Sequence, residues 1–226
     1  MRFPLIMAII LAIIPHEVCQ GQIFRPYKCG PVLKKDGIQT FKRLNDYLEI
    51  SSGDIFAEIG ASSGYYNGAM AVFLDSVTFY LQDIDRDCLN ENNLQKVLRH
   101  YSKFRKSPIS ATNTFYIVIG SETKTNLPKS AIDIIFSNAT YHVLDQPDAI
   151  IADLYQSLKP DGVLAIRDEF VYDGSVKYCH DKSCKNPLAK IEDFQATMQR
   201  NGFVMVDETD EFGYPVYKFK KMTIDD

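Results

Sequence analysis

The chain has 226 residues, of which 46% are hydrophobic and 24% charged, and its formal net charge is −4. That composition suits one globular domain with a sizeable core. The acidic balance argues against nucleic acid as a substrate, because enzymes of nucleic acid more often present a basic face.

The N-terminus reads separately from the rest. Arg2 gives a positive start, residues 3–14 are almost wholly apolar, and Pro15 ends the run. The run is too short to span a bilayer as a helix and fits a signal-peptide core. Residues 1–21 are therefore expected to be a signal peptide or an N-terminal anchor, and residues 22–226 a single domain, either exported or held at a membrane by its N-terminus. No stable membrane span is expected beyond that signal. Cleavage after Gly21 leaves Cys29, Cys88, Cys179 and Cys184. Cys179 and Cys184 read either as a local disulfide or as free thiols; the second half of any zinc pattern is missing, and no metal is expected.

Residues 33–48 carry Ile38, Phe41, Leu44 and Leu48 at helical spacing and predict an amphipathic helix. Residues 54–59 read as a short apolar strand, followed by the small-residue turn Gly60-Ala61-Ser62-Ser63-Gly64 and a further helix. Small side chains let a ligand approach the backbone, and the start of a helix offers free N–H groups. A second strand over 78–83 ends in Asp83, about 20 residues past the glycines, where α/β nucleotide folds place a carboxylate on a ribose. A helix is expected over 86–104, with Asp85 or Asp87 as alternative N-caps. Its Lys and Arg residues read as a solvated face.

Residues 114–119 predict a third strand, followed by Ser121 and Glu122, and 131–136 a nearly continuous apolar fourth strand, as in a parallel sheet buried on both faces. Asn138, Tyr141 and His142 follow it. Residues 147–158 predict a helix with Pro147 near its start. Residues 159–162 read as a turn into a fifth strand ending at Asp168 and Glu169, which either contact a substrate or form a structural ion pair. Residues 171–187 form a polar insertion, 188–200 a helix, and 203–209 with 216–221 a closing β-hairpin.

Glu58-Ile-Gly60-Ala61-Ser62-Ser-Gly64 resembles the first motif of the class I S-adenosylmethionine (SAM)-dependent methyltransferases, with Ser62 in place of the middle glycine. The turn Leu158-Lys159-Pro160-Asp161-Gly162 and the stretch 138–142 resemble the same family. The nicotinamide pattern fits worse, lacking a glycine at 62 and a small residue at 65. The resemblance implies a doubly wound α/β fold: a mostly parallel, Rossmann-like seven-stranded sheet ending in an antiparallel hairpin. It implies SAM as cofactor, contacted by Glu58, Gly60, Ala61, Ser62, Gly64, Asp83, Ile84, Ser121, Glu122 and Asn138, with Ile84 packing on the adenine. It places Tyr141 and His142 toward the substrate as candidate catalytic residues, His142 taking a proton; packing or helix capping is the competing role for His142. The expected activity is methyl transfer to a small-molecule acceptor; the alternative is a non-catalytic exported binding protein on the same fold.

Overall fold

The computed structural model describes Cys29, residues 37–178 and residues 187–222. The sheet has seven strands: β1 (Ile55–Ile59), β2 (Thr78–Asp83), β3 (Thr114–Ile119), β4 (Ile132–Asn138), β5 (Leu158–Arg167), β6 (Phe203–Thr209) and β7 (Val216–Lys221). Their order is β3-β2-β1-β4-β5-β7-β6. The first five pair in parallel, and β7 runs antiparallel to both β5 and β6. This is the expected doubly wound α/β fold, closed by the expected hairpin.

Side-chain alternation along each strand divides the core between the two faces. Phe56, Phe136 and Ala165 face one cluster, shared with α1 (Ile38–Leu48), α2 (Tyr65–Met70) and α3 (Glu91–Tyr101). Ala57, Ile135, Leu164 and Ile166 face the other, shared with α5 (Pro147–Ser157) and α6 (Ile191–Arg200). A short α4 (Ile109–Thr112), which the sequence did not suggest, leads into β3.

Several boundaries differ from those expected. The helix expected over 86–104 forms only from Glu91. Asp85 instead folds the chain into a turn, its Oδ1 accepting the backbone N–H groups of Asp87 and Cys88, and Asn90 caps α3 by accepting from the backbone N–H of Asn93. Residues 158–162, read as a turn, belong to β5, which pairs with β4 from Leu158 onward across a register shift. The last long helix starts at Ile191 rather than at 188. The lead-in to α1 before residue 37 lies outside the described residues, Cys29 apart, as does the Cys179–Cys184 segment.

A disulfide joins Cys29 to Cys88 across 59 residues of sequence. Cys88 lies in the turn that follows β2. Odd numbers of cysteines and sequence spacing leave such pairings open.

Candidate active site

The strand order reverses at β1, whose neighbours are β2 on one side and β4 on the other. The crevice beyond the carboxyl ends of strands at such a switch point is where open α/β sheets bind ligands. Register brings those ends together: Ile59 pairs with Gln82 and Ser137, and Asn138 with Arg167.

The loop after β1 depends on left-handed backbone at alternate positions, with φ of 72° at Gly60, 52° at Ser62 and 81° at Gly64. Gly60 is also crowded: a Cβ there would stand 2.1 Å from Thr140 Oγ1. That hydroxyl donates to the Ile59 carbonyl at 3.2 Å, seating the loop after β4 against the loop after β1. The Ala61 N–H donates to the Gln82 carbonyl at 2.9 Å, and the Gly64 N–H to the Ala61 carbonyl at 2.7 Å. The following helix is short, so the loop's own N–H groups define this corner more than any long helix start.

Asp83 closes the corner. Its Oδ2 accepts the Ser62 N–H at 2.7 Å and its Oδ1 the Asp85 N–H at 2.9 Å. Each oxygen keeps a lone pair for a further donor. Beside it Ile84 is 55% exposed, an apolar side chain left open at the rim. The Gly120 N–H donates to the Asp83 carbonyl, which puts the turn after β3 next to this carboxylate. In that turn the Ser121 hydroxyl accepts from the N–H groups of Thr123 and Lys124, and Glu122 is exposed.

Glu58 lies beneath the loop, 2% exposed, on the face of α1 to α3, and accepts a hydrogen bond from Asn67 Nδ2. Burial, reinforced by the charge of Asp83, raises its pKa well above the ordinary carboxylate value against the pull of Asn67.

On the other side of the crevice, Asn138 Oδ1 accepts from Arg167 Nη1 at 2.6 Å. The guanidinium also donates to the Phe212 carbonyl and, at 3.4 Å, to the Tyr66 hydroxyl. Arg167 thus ties the β6–β7 turn to the site, a role visible only once strand register is known.

His142 sits in the 3-10 turn Tyr141–Val143 with its Nδ1 2.7 Å from Asp168 Oδ1. Burial works to lower its pKa, but the hydrogen bond and charge of Asp168, with the charge of Glu169, outweigh it and the net shift is upward. Tyr141 departs from expectation. Its ring is 5% exposed and packs between Phe194, centroids 4.9 Å apart, and Phe170 at 5.8 Å. The turn that presents His142 sends the preceding side chain into the core, so Tyr141 supports the site rather than facing a substrate.

A cleft of about 510 Å³ opens at the opposite edge of the sheet, lined by Asp54, Asp133, Asp161 and Lys218 among others. Lys159 pairs with Asp133 and Lys218 with Glu49 there. None of the crevice residues described above lines it, and the convergence of loop and carboxylates at the carboxyl edge carries more chemical content than the size of this cleft.

Residues 57–166 match the family model described as a methyltransferase domain. No curated protein matches the chain in sequence. Among solved structures, it is similar to a SAM-dependent methyltransferase from Aquifex aeolicus, at 15% identity and a TM-score of 0.60, over 84% of this chain and 94% of that one. It is also similar to the [4+2]-cyclase SpnF, at 11% identity and a TM-score of 0.63, over 88% and 86%. A third is a phosphoethanolamine N-methyltransferase of Haemonchus contortus in complex with SAM, at 17% identity and a TM-score of 0.54, over 76% of this chain and 38% of that one. Identities this low speak to the fold, and the fold hosts more than one chemistry; the family model spans the glycine loop, Asp83, Asn138, His142 and most of β5. Residues 57–166 thus match a methyltransferase domain, and the chain shares the fold of SAM-dependent methyltransferases.

Proposed function

We propose that the protein is a catalytically active methyltransferase whose acceptor is a small molecule. The observation that carries the cofactor site is the Asp83 carboxylate, held by the N–H groups of Ser62 and Asp85 at the sheet's switch point. An ionised carboxylate is acceptor-only and so complements two ribose hydroxyl donors. Gly60, Ala61, Ser62 and Gly64 give the close backbone approach. Ile84 supplies the apolar surface for the adenine, with Ser121 and Glu122 at its edge, and Asn138 borders the methionine end. Glu58 acts from beneath the loop by shaping it through Asn67.

The bound cofactor supplies an electrophilic methyl group on a sulfonium sulfur. The residues of this chain hold the acceptor near it, and proximity and orientation are their main contribution. His142 takes the acceptor's proton, supported by its place at the end of β4 and its raised basicity. The small-molecule reading is supported by the net charge of −4.

We also propose that the protein works outside the cytoplasm. The Cys29–Cys88 disulfide supports this, because such bonds persist in oxidising compartments, and the apolar run at 3–14 agrees with it. Among the described residues no helix is long and apolar enough to cross a membrane.

Calorimetric titration of SAM and S-adenosylhomocysteine into the protein, beside an Asp83→Ala variant, tests the reading. Binding by the wild type that is lost in the variant supports it. No binding by the wild type overturns it and leaves a methyltransferase fold used for another purpose.

A further inference from the structure

Among the described residues, the carboxylate that follows β5 hydrogen-bonds to His142, in the turn after β4, and to its own neighbour Glu169. The Asp168 side chain is 1% exposed and that of His142 14%. Asp168 Oδ1 lies 2.7 Å from His142 Nδ1 and accepts the backbone N–H of Glu169 at 2.8 Å. Asp168 Oδ2 accepts the backbone N–H of His142 at 3.2 Å. The carboxylate therefore grips the same residue twice, at its main chain and at its ring. Set against an acceptor-only group, a neutral imidazole places its proton on the facing nitrogen and leaves the other nitrogen bare.

We propose that Asp168 is a positioning residue: it fixes the Nδ1–H form of His142 and aims the bare Nε2 at the acceptor. The class of acceptor follows. It is a molecule whose nucleophilic atom, a hydroxyl oxygen or an N–H nitrogen, gives up a proton as it is methylated. During transfer that proton goes to Nε2 while the acceptor atom bonds to the methyl carbon. The carbon–sulfur bond breaks, sulfur keeps the electron pair, and the imidazolium, steadied by Asp168, returns the proton to water. The charged groups acting on the ring are Asp168 and Glu169, both from the end of β5 and both favouring the protonated form.

The consequence for the acceptor rests on the methyltransferase reading, but the state of the imidazole does not. The test is therefore made on the ring itself. Protein labelled with nitrogen-15 at histidine is observed by long-range proton–nitrogen correlation across a pH titration. The chain has four histidines, and His142→Gln assigns the signal in question. Neutral His142 is expected to carry its proton on Nδ1, and Asp168→Asn to lower its titration midpoint by about one pH unit or more, the size of shift lost with a nearby opposite charge. A proton on Nε2 in the wild type, or an unchanged midpoint in Asp168→Asn, overturns the proposal. A carboxylate that held only the main-chain N–H groups of the turn, and not the ring, would move neither. Should Asp168→Asn fail to fold, the wild-type tautomer still decides. Calorimetry separates the two readings: Asp168→Asn is expected to bind SAM as the wild type does, and absence of SAM binding by the wild type removes the methyltransferase reading while leaving the tautomer result standing.

Discussion

Ser62 donates its backbone N–H to Asp83 at 2.7 Å while its own φ is 52°. The hydrogen bond belongs to the main chain, so any residue but proline can make it. The backbone angle belongs to the left-handed region, where a side chain costs roughly 1–2 kcal/mol that glycine does not incur. Ser62→Gly is therefore expected to keep the Asp83 contact and to raise stability by about 0.5–1 kcal/mol after the extra chain entropy of glycine is set against the relief. A shift of the urea midpoint to higher concentration, with SAM affinity at least that of the wild type, is the expected outcome; a lower midpoint would show that the serine side chain stabilises the loop.

Glu58 is buried, and burial together with the charge of Asp83 raises its pKa well above the ordinary value. The folded state then holds a proton that the unfolded chain releases from about pH 4.5 upward. Stability from this group is fully present below the unfolded pKa and is lost as pH rises toward the folded one. Glu58→Gln cannot ionise, so its denaturant midpoint is expected to fall less than that of the wild type between about pH 5 and pH 8. Parallel pH profiles for the two proteins would count against a proton held on Glu58.

The fold was legible where the chain repeats a short-range pattern. Residues 78–83, 114–119, 203–209 and 216–221 form the strands expected of their β-rich runs. The turn at 60–64 and the strand end at Asp83 form where they were expected for the same reason: both are local. What failed needed distant partners. Asn90 outcompetes Asp85 and Asp87 as a helix cap because Asp85 spends its side chain on its own turn. Tyr141 turns inward because Phe170 and Phe194 offer it aromatic faces, and nothing beside it in sequence says so. Asp168 and Glu169 were equal candidates; only the approach of β5 to the turn after β4 singles out Asp168 for His142.

The Cys29–Cys88 bond joins positions 59 apart in sequence, and the loop it closes includes α1, β1 and the glycine loop. In the chain-entropy model a cross-link of that span removes about 4 kcal/mol of freedom from the unfolded chain. Cys29→Ser is expected to lower the unfolding free energy by about 2–4 kcal/mol, the usual range for native bridges. The wild type should lose a similar amount in reductant, whereas Cys29→Ser should lose much less, since the bridge is already gone. Equal sensitivity of the two proteins to reductant would place the important thiols elsewhere.

Gly60 meets two constraints at once, a φ of 72° and the Thr140 side chain, whose Oγ1, Cγ2 and Cβ stand 2.1, 2.7 and 3.0 Å from where a Cβ would lie. Gly60→Ala is expected to destabilise the protein by roughly 2–3 kcal/mol, combining left-handed strain with overpacking against Thr140. Thr140→Ala removes the two nearest atoms and the hydroxyl that donates to the Ile59 and Asn138 carbonyls; alone it should cost about 1 kcal/mol. The double variant isolates the steric part, because the backbone strain remains while most of the clash is gone. Its loss of stability is expected to be smaller than the sum of the two single losses by about 1 kcal/mol, as for residues in direct contact. Strict additivity in the double-mutant cycle would mean that the loop at Gly60 is held by its backbone angle alone and that Thr140 does not set how closely the loops after β1 and β4 approach.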